Sequence, residues 1–168
     1  MSLACIRIYK IKDIVNISGY TLIMSKYKFN TTKQISKNMK IQSHGKSKTE
    51  DLLAHALWKE GIRYRRNYKA LPGKPDIAIT KYKIAIFVDG EFWHGFNWKE
   101  KKKRIKNNRD YWIPKIEKNM IRDKHNDILL KEVGWWPMHF WSRLVLKNTD
   151  YCVEMIKYMI RDRKEITE

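Results

Sequence analysis

The chain is 168 residues long and 43% apolar, and it carries 36 Lys and Arg against 18 Asp and Glu, a formal net charge of +18. That length and apolar content supply one ordinary core, and so large a positive field makes nucleic acid the leading partner. A membrane reading is set aside because neither an apolar span nor a dominant basic amphipathic helix is present, and Cys5 and Cys152, far apart and without a C-x-x-C pair, imply neither a disulfide framework nor a zinc knuckle.

Residues 1–23 form an extension of uncertain role, with Met24-Ser25 as a candidate alternative start. Arg7, Lys10, Lys12 and Asp13 break its apolar stretches before a signal-peptide core or membrane span can form, so a soluble protein of a reducing cytoplasm is expected. Residues 24–48 are basic and rich in Ser, Thr, Asn and Gln, which suits an arm that orders on a phosphate backbone.

The body of the chain, residues 49–168, is entered through Ser47-Lys48-Thr49-Glu50. This has the S-x-x-E form of a capping box, followed by Leu52, Leu53, Ala56 and Leu57 at helical spacing, and the spacing predicts a helix from Thr49 to Glu60. The turn Leu71-Pro72-Gly73-Lys74-Pro75 delivers the chain into a short strand, Asp76-Ile77-Ala78-Ile79. The nearly continuous apolar run Ile84 to Asp89 reads as a central strand pairing with it as a hairpin. A long helix is predicted from Pro114, as its first residue, to Val133, with Gly134 as its stop. A strand follows over Trp136 to Trp141, then a helix over Asp150 to Arg163. The order helix, strand, strand, helix, strand, helix describes an α/β sandwich with a small mixed sheet flanked by helices.

A hairpin brings the start of one strand near the end of its partner, so Asp76 and Asp89 can converge at one sheet edge and hold a hard divalent cation through oxygen. The competing reading makes each a turn acid satisfying local amides, as Glu50 can be a helix cap. Asp123 shares the helical stripe of Ile116, Met120 and Leu130. A carboxylate facing a core needs a cation, a metal or a protonated base, and an arginine salt bridge is the alternative. His94, on the loop leaving the central strand, is a candidate general acid or base. Aromatics are abundant, with seven Trp and nine Tyr. Phe92 and Trp93, adjacent on a polar loop beside the basic stretch Lys99 to Arg109, are expected to meet bases, whereas Trp58, Trp135 and Trp141 are expected in the core.

Taken in order, Ser36-Lys37-Asn38-Met39, Leu71 through Asp76, Phe92-Trp93-His94, Tyr111-Trp112, Lys118-Asn119 with Arg122-Asp123, and Gly134-Trp135 resemble the very short patch repair (Vsr) endonucleases. These are a branch of the PD-(D/E)xK superfamily. The resemblance implies a restriction-endonuclease-like fold and a Mg²⁺-dependent (or Mn²⁺-dependent) endonuclease nicking double-stranded DNA at or near a mismatch, leaving a 5′-phosphate. It makes Asp76 the central metal ligand, adds the Val88 carbonyl to the metal, gives Glu50 an assisting role, and pairs His94 with Asp123 for proton transfer. Phe92, Trp93 and Trp112 would wedge into the duplex, Met39 would enter from the arm, and Lys37 and Lys40 would anchor it.

Departures from the family pattern change two expectations. The positions matching its structural zinc ligands are Glu91, Phe96, Trp98 and Arg143, a set without soft donors, so no structural zinc is expected and aromatic packing takes its place. Asp89 stands where the family has a second active-site histidine and is expected to add a metal ligand. Such a set is also similar to Vsr-like homing endonuclease domains of mobile elements. A homing or restriction-type enzyme cutting intact duplex is therefore the alternative, and a non-catalytic DNA-binding module is the alternative from another class. The expected setting is the nucleoid of a prokaryote or phage host, with repair or mobile-element partner proteins unidentified.

Overall fold

A computed structural model describes residues 47–165, so the arm residues Lys37, Met39 and Lys40, the extension and Cys5 lie outside the described residues. Helix α1 (Lys48–Lys59) starts where the sequence signals it, with the Ser47 hydroxyl accepting from the Glu50 N–H at 3.5 Å, a long capping contact. Strands β1 (Arg65–Arg66), β2 (Ile77–Ile79), β3 (Ile84–Asp89) and β4 (Trp136–Trp141) form one sheet in that order. The first three run antiparallel to their neighbours, and β4 lies parallel to β3. The parallel pair requires a crossover, which is made by α2 (Trp98–Arg104) and α3 (Arg109–Glu132). Two further helices, α4 (Ser142–Lys147) and α5 (Thr149–Glu165), complete the described chain.

Alternation along the strands divides the sheet into two chemically different faces. Ile77, Ile79, Ile84, Ile86, Met138 and Phe140 bury against Leu53 and Leu57 of α1, Val145 of α4 and Cys152, Val153 and Ile156 of α5, giving an all-apolar core. The other face presents Ala78, Ala85, Phe87, Asp89 and His139 toward α3, whose buried stripe is Trp112, Ile116, Asp123, Asp127 and Leu130. The buried titratable groups, Asp89, Asp123, Asp127 and His139, thus all lie on one side of the sheet.

Several boundaries differ from the sequence reading. Helix α3 begins at Arg109, so Pro114 lies inside it rather than at its start. An interior proline costs about 3 kcal/mol, but burial of Trp112 before it and Ile116 after it contributes about 1.5–3 kcal/mol each and carries the helix through. The run after Trp98, predicted only as a basic stretch, forms α2, and both α4 and the two-residue β1 are too short to leave a periodic signature. Trp58, expected in the core, is 52% exposed, because it lies on the outer face of α1 with the Arg63 guanidinium 3.9 Å over its ring. Leu52 also faces outward, whereas Trp141 is buried and Trp135 half-buried.

Candidate active site

The polar face of the sheet gathers the titratable residues. His94 sits in the turn that follows β3, which is closed by bonds from His94 N–H to the Gly90 carbonyl and from Phe96 N–H to the Glu91 carbonyl. Two residues one turn apart on α3 hold this loop. The Asn119 amide donates to the Trp93 carbonyl at 3.1 Å, and the Asp123 Oδ2 lies 2.8 Å from His94 Nδ1. Gly95, with φ +70, lets the backbone close on α3, since a Cβ there would stand 2.5 Å from the Met120 sulfur. His94 Nδ1 is also 3.4 Å from Asp89 Oδ1. Two carboxylate oxygens at Nδ1 favour the proton on that nitrogen, since each can only accept from it when ionised.

Burial by itself would raise the Asp123 carboxyl, but the His94 hydrogen bond and charge, with Arg122 beside it, outweigh burial and hold it below the usual carboxylate range. Asp123 is therefore a firm anion at neutral pH. This meets the condition that the sequence set for a carboxylate on a buried stripe: its partner is an imidazole, with an arginine alongside.

Asp76, just before β2, is in the opposite state. Its Oδ2 accepts the Val88 N–H at 2.8 Å, yet burial, reinforced by repulsion from Glu50 and Asp89, pushes its carboxyl up to about 6 despite that bond and Arg66. A half-buried carboxylate beside two other acids lacks positive charge, and Arg66 is already spent on Asp51 at 2.9 Å and Glu50 at 3.7 Å. Hard oxygen donors with a shortfall of cation suit a divalent ion that keeps waters in its remaining positions. Among the described residues no three His, Cys, Asp or Glu side chains form a ready-made metal cage.

The site contains two residues that the sequence reading did not single out. His139 of β4 is 4% exposed and bonds Asp89 Oδ2 through Nδ1 at 2.8 Å and Asp127 Oδ1 through Nε2 at 2.9 Å. Burial opposes its charge, but the bonds to Asp127 and Asp89 and their charges prevail and push it up to about 9. The signals were present: Asp127 repeats the phase of Asp123 four residues on, and His139 interrupts an otherwise apolar strand. These side chains, with Gly73, Lys74 and Arg122, line a cleft of about 430 Å³.

Beside the cleft stands an aromatic cluster. Phe92 and Trp93, 40% and 37% exposed, meet edge to face at 5.4 Å, and both rest on Trp112, at 5.4 and 5.6 Å. Trp112 itself is buried and packs on Tyr111 at 5.0 Å, so it supports the pair from beneath. At the positions matching zinc ligands, Glu91 accepts the Arg143 N–H at 2.7 Å, Phe96 packs on Trp141 at 5.0 Å, and Trp98 donates to Glu117 at 3.1 Å.

A small mixed four-stranded sheet with helices on both faces has the architecture of the restriction-endonuclease-like fold, and its polar face gathers acids with two histidines. Residues 27–100 match the family model described as DNA mismatch endonuclease Vsr. The chain belongs to this Vsr endonuclease family. It is 44% identical over 138 residues to the type II nicking enzyme V.NmeDIP of Neisseria meningitidis serogroup C, covering 82% of this chain and 93% of that protein. It is 47% identical over 140 residues to the type II nicking enzyme V.HpaIIP of Haemophilus parainfluenzae, covering 82% and 94%. The DNA mismatch endonuclease Vsr of Escherichia coli K12 is 33% identical over 110 residues, covering 64% of this chain and 68% of that protein. Among the described residues no helix is long and apolar enough to cross a membrane.

Proposed function

We propose that this chain nicks double-stranded DNA at or beside a mismatched base pair by Mg²⁺-dependent (or Mn²⁺-dependent) hydrolysis of a phosphodiester, leaving a 5′-phosphate. The observation that carries the reading is His94 Nδ1 at 2.8 Å from Asp123 in a cleft that Asp89 also lines, with the half-buried Asp76 outside that lining but repelled by Asp89. The metal would be held by Asp76 and the Val88 carbonyl, with Glu50 in support. Bound there, it would neutralise phosphate charge and lower the pKa of a coordinated water.

The remaining steps belong to the chain's own side chains. Asp123 fixes the His94 tautomer, so Nε2 is the atom that accepts the proton from the attacking water, and the resulting imidazolium is stabilised by the same carboxylate. Lys74 and Arg122 at the cleft supply positive charge for the scissile phosphate and its neighbours. Phe92 and Trp93 stack on bases opened at the lesion, and a mismatched pair is favoured because it is cheaper to unstack. Lys37, Met39 and Lys40 of the arm extend the grip across the duplex. Such an enzyme works in the cytoplasm, on nucleoid DNA.

End-labelled duplexes with and without a T:G mismatch, incubated with protein and Mg²⁺ and resolved on denaturing gels, test this reading. Cleavage of one strand, faster on the mismatched duplex, is expected. Equal cleavage of both strands of the matched duplex would instead identify an enzyme of intact DNA, and salt-sensitive binding without product would identify a binding module.

A further inference from the structure

Asp127 and His139, 4% exposed each, are buried in the lining of the same cleft as His94 and Asp123. The His139 imidazole is bonded through Nδ1 to Asp89 and through Nε2 to Asp127, so both of its ring nitrogens are engaged by carboxylates. The ring is further fixed by stacking on Phe87, with centroids 4.7 Å apart and planes 11° from parallel. Asp89, at 3% exposure, is thereby clamped through Oδ2, and its other oxygen is turned to His94 at 3.4 Å.

Resting on the nuclease reading above, we propose that Asp127, His139 and Asp89 form a positioning chain that aims His94 at the scissile phosphate. Asp89 then serves His94 as a second carboxylate beside Asp123 rather than chiefly as a metal ligand. His139 holds Asp89 in the one rotamer that faces His94, and Asp127 holds His139. Both ends of the chain are anchored on rigid elements: Asp127 shares α3 with Asp123, while Asp89 and His139 lie on the adjacent parallel strands β3 and β4. The His94 ring is consequently referenced to helix and sheet at once. A structural ion pair alone would not require Asp89 to present its second oxygen to the imidazole of a loop.

A double-mutant cycle tests the chain. Single-turnover nicking and duplex affinity are measured for the parent, Asp127→Ala, Asp127→Asn, Asp89→Ala and the Asp89→Ala/Asp127→Ala pair. Asp127→Ala is expected to slow nicking ten- to hundredfold with duplex Kd changed less than twofold. Asp127→Asn, whose amide oxygen still accepts from His139, should recover most of the rate. In the Asp89→Ala background Asp127→Ala should cost nothing further, because the link to His94 is already cut. An unchanged rate in Asp127→Ala, or an undiminished cost in the Asp89→Ala background, would overturn the proposal. If Asp127→Ala does not fold, His139→Gln is carried through the same cycle under the same criteria. The His94 ring ¹⁵N resonances in Asp127→Ala report the link without activity. A shift toward a mixed tautomer supports the chain and an unchanged spectrum contradicts it, even if the parent protein cuts no DNA.

Discussion

Asp123 and Asp127 stand one turn apart on the buried stripe of α3, and each takes an imidazole from a different part of the sheet's polar face, His94 at 2.8 Å and His139 at 2.9 Å. One helix thereby organises both histidines. In the first pair His94 keeps part of its ring exposed, whereas both members of the second are buried.

In the proposed mechanism His94 and Asp123 act as a unit, so their losses should not add. Either alanine variant is expected to slow nicking roughly a hundred- to ten-thousandfold. The double variant should be no slower than the slower single variant. Single-turnover rates at saturating protein measure this.

Asp76 predicts a conflict between function and stability. Its folded-state value, about 6, lies above the ordinary 3.8, so its ionisation opposes folding. The cost is absent below pH 3.8, grows as pH rises toward 6 and is complete above it. Asp76→Asn, which can still accept the Val88 N–H, should therefore be more stable at pH 8 in EDTA by roughly 1–3 kcal/mol, with no advantage below pH 4. Thermal unfolding with and without Mg²⁺ completes the test: added ion should raise the midpoint of the parent and not that of the variant.

His139 has the reverse linkage. Its folded value of about 9 lies above the ordinary 6.5, so its contribution is complete below pH 6.5 and is lost as pH climbs through 9. Denaturant unfolding at pH 6.5, 8 and 9.5 should show stability falling by a few kcal/mol over that window. The fall should be absent in His139→Gln.

Phe92 and Trp93 are predicted to read the lesion by stacking. Base–aromatic stacking is worth about 1–3 kcal/mol per base, so each alanine variant should weaken binding to a T:G duplex roughly five- to a hundredfold. Affinity for matched duplex should change far less. Trp112→Ala should show part of the same loss, since both rings rest on it. Fluorescence anisotropy with both duplexes checks the comparison.

The sequence made the elements with a strong period legible: α1, the β2–β3 hairpin, β4 and α5 all fall within a few residues of their predicted spans. It could not reveal that Pro114 sits within α3, because the burial that offsets its cost is tertiary. At the site, Asp76, Asp123 and His94 were legible as residue types in suspicious places, and the family resemblance assembled them. His139 and Asp127 were missed because a histidine in a strand and an acid on a helix gain meaning only once parallel pairing of β3 and β4 sets Phe87 opposite His139. Trp58 shows the converse error, since hydrophobicity alone does not say which face of α1 is covered.

Supercoiled plasmid incubated with Mg²⁺ and either the parent protein or Asp76→Ala gives the most direct measurement. Open-circle product from the parent and none from the variant, with both proteins retarding the plasmid equally, is the predicted result. Open circles formed at the parental rate by the variant, or no nicking by the parent with Mg²⁺ or Mn²⁺, would contradict a metal-dependent nuclease built on Asp76.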